Sequence, residues 1–278
     1  MNSSRDRVSS RQLGALALTA AGVPVFRFCC RVSWPWVLLG GLAAAATLSA
    51  LTAIQNRRRG AAPASLLALP LGAGALWAAW ESSFAFPETA GNWLASALVL
   101  VLAAWAACGG PAAAGRCAGI LLRVTGALYG AVLVFSLPQV KGAWLVPGAC
   151  PPRAALGIWA ALLLPGAALL LAPALGEDQR LPHWPWWAAA ALGTAAAALT
   201  GGILSPALQP EPEAFRTLAR GVSVLGVIRR FEALVNGAML MSGFALCNLY
   251  LVSLRSVFSR YRGVFEKQKK FEISKKSS

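Results

Sequence analysis

The sequence predicts an all-α fold, a polytopic transmembrane bundle of about eight helices, and three observations predict it. Only 13% of the 278 residues are charged, against about 25% in an aqueous domain, and mean hydropathy is +0.60. The apolar residues form continuous runs of the roughly twenty positions a spanning helix needs, without the alternation that marks barrel strands. Positive charge collects at the ends of those runs, in Arg57-Arg58-Arg59, at Arg116 and in the tail from Arg255 to Lys276. That is the pattern that orients a membrane protein, so the net charge of +15 does not point to nucleic acid.

Taken in order, the runs fall near 12–30, 34–54, 63–86, 91–109, 117–137, 154–175, 184–206 and 231–255. The first follows Arg5, Arg7 and Arg11 and carries Gly22-Val23-Pro24 close to its centre. Its charged start resembles a secretory signal, but no small-residue cleavage site follows, so it is read as a retained span. The second is rich in small residues, as at Ala43 to Ala46, which lets helix backbones approach closely. The third brings Glu81 near the outer interface, and Pro87-Glu88-Thr89 separates it from the fourth. Arg123 lies a turn or two into the fifth, within reach of the inner surface. Pro165-Gly166 sits in the middle of the sixth, after a stiff turn containing Pro147-Gly148 and Pro151-Pro152. Trp184, Trp186 and Trp187 open the seventh as interfacial anchors. Between it and the eighth, Glu213 to Arg220 reads as a short amphipathic helix lying on the outer surface. Arg230 and Glu232 open the eighth span, where a carboxylate suits the positive end of the helix dipole. Residues 1–256 thus form the membrane domain and 257–278 a basic cytoplasmic tail. With the N-terminus inside, eight crossings put the three basic clusters in the cytoplasm and the turn carrying Glu81 and Glu88 outside. Arg27, Arg31 and the 207–230 segment are basic exceptions on the outer side.

Chemistry-bearing constellations are sparse. The six cysteines show no metal spacing and mostly sit in or beside apolar runs, where a thiol behaves as a small hydrophobe; Cys29 and Cys150 share a face and leave a disulfide open. The one histidine, His183, stands between prolines and tryptophans at a helix start. No phosphate loop, zinc motif or serine elbow is present, so no enzyme activity, metal or cofactor is expected. The two interruptions carry more information. A discontinuous helix exposes backbone groups that hold substrate, and breaks in spans one and six are what a repeat of five helices would produce; the alternative reading of both is an ordinary proline kink, common in membrane helices.

Several stretches resemble the spore germination permeases, the B subunits of bacterial endospore germinant receptors. They are Ser10-Arg11-Gln12-Leu13 before the first run, Ala107 to Leu122 with Gly109, Gly115 and Arg116, Lys141 to Pro147, and Ile228-Arg-Arg-Phe-Glu-Ala-Leu234 at the start of span eight. The matches fall in order over nearly the whole chain. The resemblance implies a LeuT-like, amino-acid-permease-like core of the amino-acid/polyamine/organocation superfamily, with two inverted five-helix repeats. It implies a subunit that binds a small nutrient, expected to be an amino acid, and signals germination beside A- and C-type subunits. Its home would be the spore inner membrane or the bacterial cell membrane, and the alternative is a secondary transporter of amino-acid type. The pocket would lie at Gly22, Val23, Pro24, Pro165 and Gly166, with Trp77 and Trp80 lining it, and Glu81, Arg230 and Glu232 as gating or structural charges. The family has ten spans where this sequence shows eight.

Overall fold

The computed structural model describes residues 8–58, 64–83, 92–145, 153–171, 182–208, 213–221 and 231–276. All regular structure among them is helical: α1 Ser10–Phe28, α2 Trp34–Arg58, α3 Ala64–Ser83, α4 Asn92–Cys108, α5 Gly110–Ser136, α6 Arg153–Leu171, α7 Trp184–Leu208, α8 Ala214–Gly221 and α9 Phe231–Lys276. Each expected span is occupied by a helix, and the protein is an all-α membrane bundle. Ser10–Arg31, Trp34–Asn56, Gly110–Gln139, Trp184–Leu204 and Phe231–Phe258 are long and apolar enough to cross a bilayer, while Trp93–Cys108 and Arg153–Ala168 are shorter apolar segments.

Local chemistry sets the helix limits. Ser9 caps α1 by accepting from the Gln12 N–H, while the Gln12 side chain accepts from the Ser9 N–H; this reciprocal box satisfies two otherwise orphaned donors. Between α4 and α5 only Gly109 intervenes, and α5 starts earlier than its apolar run predicts. The reversal is possible because Gly110 adopts φ 81°, a conformation that costs a residue without Cβ nothing, and Pro111 follows in the first turn, where a missing N–H is no loss.

Helix α1 is the axis of the bundle, packed by α5, α6, α7 and α9 and buried almost continuously from Leu13 to Phe26. Around it α2 packs on both α6 and α7, and α3 lies along α9. The first, second and third long helices therefore each contact the one five places later. Glycine makes some of these approaches possible: a Cβ on Gly74 would collide with the Tyr250 ring, and one on Gly166 with Leu48. The two ends of the bundle differ. At one, Gly115 abuts Val8 and Gln12, Gly14 abuts Trp184, and Arg255 Nη1 donates to the Ala107 carbonyl at 2.7 Å. At the other, Trp34 Nε1 donates to the Leu145 carbonyl at 3.0 Å, and the Lys141 N–H bonds the Gly202 carbonyl at 2.9 Å.

Two expectations are corrected. Neither α1 nor α6 is broken: Pro24 and Pro165 lie inside continuous helices. A proline removes one intrahelical bond, and the tight packing of both prolines, which are buried, holds the flanking turns in place. One turn after Pro24 the Cys29 N–H bonds back to Pro24 and Val25, and the chain tightens into a 3-10 turn, Cys29–Arg31. The segment predicted to lie on the surface is instead sunk into the bundle, with Ala214, Phe215, Arg216, Leu218 and Ala219 of α8 all buried. The basic segment from 257 onward is helical as far as Lys276, continuing α9 without a break. The last two dozen residues of α9 hold no proline and many Lys, Glu and Arg, which are good helix formers.

Candidate functional site

The residues expected to line one pocket divide among different environments. Gly22, Val23 and Pro24 are buried in α1, but Gly22 faces Ser242 of α9 and Tyr129 of α5, whereas Gly166 faces Leu48 of α2. The two points do not open toward each other. Near Pro165, the Leu164 carbonyl accepts from Tyr250 Oη at 2.8 Å, so this turn is tied to α9. Trp77 is half-buried and stacks on Phe28, centroids 6.5 Å apart. Trp80 is 49% exposed and lines neither cavity described below.

The structure does form a partly open cavity beside Gly22, of about 140 Å³, between α1, α5, α7 and α9. Its polar lining is all hydroxyl: Thr19, Thr125, Tyr129 and Ser242. Thr19 donates to the Ala15 carbonyl at 2.7 Å and Thr125 to the Leu121 carbonyl at 2.8 Å. Such back-bonding to the preceding turn is how a helical threonine satisfies its proton, and it leaves the oxygen lone pairs as acceptors. Tyr129 Oη and Ser242 Oγ lie 3.3 Å apart, either one donating. Two hydroxyls sharing one bond keep one O–H to give. Gly126 and Gly130, each with open space where a Cβ would stand, widen the α5 wall.

An aromatic stack forms part of its wall. Phe26 lies on Tyr129 with centroids 3.8 Å apart and 24° between planes, and Phe215 of α8 meets Phe26 at 4.5 Å and Tyr129 at 6.0 Å. Phe215 sits there because its neighbour Arg216 is fastened. Arg216 is 4% exposed, yet its guanidinium meets Glu213 at 2.6 Å, Glu232 at 3.3 Å and Asn236 Oδ1 at 3.0 Å. Arg220 adds a second bond to Glu232 at 2.8 Å. A buried cation is tolerable only when its donors are satisfied in this way. Glu232 thus joins α8 to the start of α9; Arg230 lies outside the described residues. Glu81 is held by Arg27 Nε at 3.2 Å, both side chains mostly buried, which ties α3 to the end of α1 and explains one of the outer-side cations.

A second, open groove of about 440 Å³ runs between the end of α1 and the first turns of α6, lined by residues including Phe28, Arg31, Gly157 and Ile158. Cys29 and Cys30 are buried free thiols, and Cys150 lies outside the described residues. Among the described residues, no group of three His, Cys, Asp or Glu is placed to hold a metal ion.

Thr19, Thr125, Tyr129, Ser242, Phe215 and Arg216 escaped the sequence reading. The available signals were the i, i+3 spacing of Glu213 and Arg216, and a tyrosine inside an apolar run of a chain with three tyrosines. In comparisons with known proteins, no protein-family model and no curated protein matches this chain.

Proposed function

We propose that this protein is a membrane nutrient sensor of the germination-permease kind, which takes a small solute of amino-acid size into the cavity beside Gly22. The observation that carries the reading is that partly open cavity, polar only through hydroxyls, with Phe215 of the ion-paired α8 packed behind its Phe26 and Tyr129 wall. Its volume of about 140 Å³ is close to that of a void that holds one benzene, ~150 Å³, so the fitting amino acids are glycine, alanine and serine. The Thr19 and Thr125 oxygens accept from an ammonium group, and the Tyr129–Ser242 pair supplies a donor for a carboxylate. The pairing of each of the first three helices with the one five places later supports a two-repeat permease core. Signal leaves along α9, which carries Ser242 at the cavity, Glu232 under α8, and a basic extension that would meet A- and C-type receptor subunits.

Binding of radiolabelled glycine, alanine and serine to protein in proteoliposomes tests this. Saturable binding without accumulation, weakened by Ser242→Ala and Thr125→Val, is the expected result. Accumulation driven by an ion gradient would replace the sensor with a secondary transporter. Absence of saturable binding by folded protein would end the nutrient reading.

A further inference from the structure

The open groove at the end of α1 has an occupant that its chemistry specifies. We propose that it is a phospholipid site: an acyl chain of a bilayer lipid lies along the groove, and its phosphate is held by Arg31. The groove exists because α6 presents Ala154, Gly157 and Ala161 toward it, positions three and four apart that share one helix face. Gly157 has open space where a Cβ would stand. Phe28 and Ile158 supply apolar walls. Ala154 to Ala161 span about 10 Å along the helix at 1.5 Å per residue, a third of the ~30 Å hydrocarbon.

Depth and charge choose a lipid over a soluble ligand. The apolar segment Ser10–Arg31 has 22 residues, or about 33 Å, so Arg31 lies where hydrocarbon gives way to headgroups. Trp34, three residues on and bonded to the Leu145 carbonyl, marks the same level, as interfacial tryptophans do. Arg153 opens α6 at the groove's mouth and is exposed. Among the described residues, the other cations of this end are engaged: Arg27 with Glu81, Arg216 with Glu213 and Glu232, Arg220 with Glu232, and Lys141 over the Trp144 ring, 4.1 Å from its centroid. Glu81 feels Arg31 electrostatically, but its hydrogen bond goes to Arg27. Among the described residues, neither Arg31 nor Arg153 has a carboxylate within ion-pair distance. A guanidinium pairs a phosphate through two parallel bonds, and the apolar groove below takes the chain that a free phosphate lacks.

The test is native mass spectrometry of the full chain, purified in detergent and titrated with phosphatidylglycerol, for wild type, Gly157→Leu and Arg31→Gln. Wild type is expected to keep one lipid adduct that 10 mM inorganic phosphate, roughly ten-thousandfold above a micromolar lipid affinity, does not displace. Leucine at 157 fills the groove and should weaken the adduct about tenfold, as should loss of the charged hydrogen bonds in Arg31→Gln. Thermal midpoints of both variants should stay at the wild-type value, since Gly157 has room and Arg31 has no ion pair to lose. Equal lipid retention by all three proteins would overturn the proposal. So would displacement by inorganic phosphate, or a dimer mass that disappears in Gly157→Leu, since a second copy would then occupy the groove.

Discussion

At Gly22 the cavity wall is one hydrogen atom thick. A methyl group there would stand 2.6 Å from Ser242 Oγ and 3.0 Å from its Cβ, inside any real contact. Gly22→Ala should therefore destabilise the protein by about 1–3 kcal/mol, the usual cost of overpacking, read as a lower thermal midpoint in detergent. Removing the Ser242 hydroxyl relieves the nearer collision, so Gly22→Ala with Ser242→Ala should lose less than the sum of the single losses. A coupling of at least about 0.5 kcal/mol would confirm the contact; strict additivity would deny it. Arg216 makes the opposite kind of contribution. It is 4% exposed and bonded to Glu213, Glu232 and Asn236, and hydrogen bonds to charged groups contribute about 1.5–3 kcal/mol. Arg216→Met keeps much of the buried stem and loses those bonds. Glu232 retains Arg220 and Glu213 is 38% exposed, so neither carboxylate is stranded and the loss should stay near the lower figure. Arg216→Lys should not restore it, because an ammonium lacks the planar fork that reaches three partners.

The helices were legible from run length and punctuation, because in lipid the backbone has no alternative to helix and only the apolar extent needs reading. How they fit together was less so. Pro24 and Pro165 look like breaks in a linear sequence, yet each costs one hydrogen bond against the burial of a whole helix turn, and packing prevails. It follows that Pro165→Ala should be tolerated: alanine restores the N–H bond to the Ala161 carbonyl and is the better helix former by about 3 kcal/mol, against a lost ring in a buried site. A thermal midpoint at or above wild type is the expected outcome; a marked drop would mean that α6 needs its proline shape. Helix α8 was legible as amphipathic but not as buried, since only its partners show that Arg216 is neutralised. Phe215→Ala removes a ring packed on Phe26 and Tyr129 and should cost about 3 kcal/mol or more. The weakest unit should open first, so hydrogen exchange at 213–221 should quicken well before exchange in α1 does. Uniform quickening across the bundle would instead make α8 part of one cooperative core. The cavity itself was illegible for a simpler reason. Its hydroxyls are Thr19 on α1, Thr125 and Tyr129 on α5 and Ser242 on α9, with Tyr129 and Ser242 more than a hundred positions apart, and no local pattern joins the three helices.

At the scale of the whole molecule, charge placement and contacts describe the same object. Partners five helices apart, α1 with α6, α2 with α7, α3 with α9, are an odd number of crossings apart and so must run antiparallel. That is how the two ends become distinct. Arg255 on α9 meets the close of α4 at the end where α1, α5 and α7 begin, whereas Lys141 meets Gly202 at the other. The basic residues Arg11, Arg116 and Arg255 gather at the first end, which the inside-positive bias assigns to the cytoplasm. Exposed groups at each end make this testable. Cys108 is an exposed free thiol at the basic end, and Lys141 is exposed at the opposite one. In a variant keeping Cys108 as its one cysteine, a membrane-impermeant maleimide added to intact cells should leave the protein unlabelled until the membrane is opened. With Lys141→Cys as the single thiol, labelling should occur at once. The reverse pattern would invert the bundle in the bilayer. Labelling of both positions from outside would require an even number of crossings between Cys108 and Lys141, whereas the one continuous helix between them, Gly110–Ser136, supplies a single crossing when it spans; that result would therefore place the helix along the membrane instead of through it.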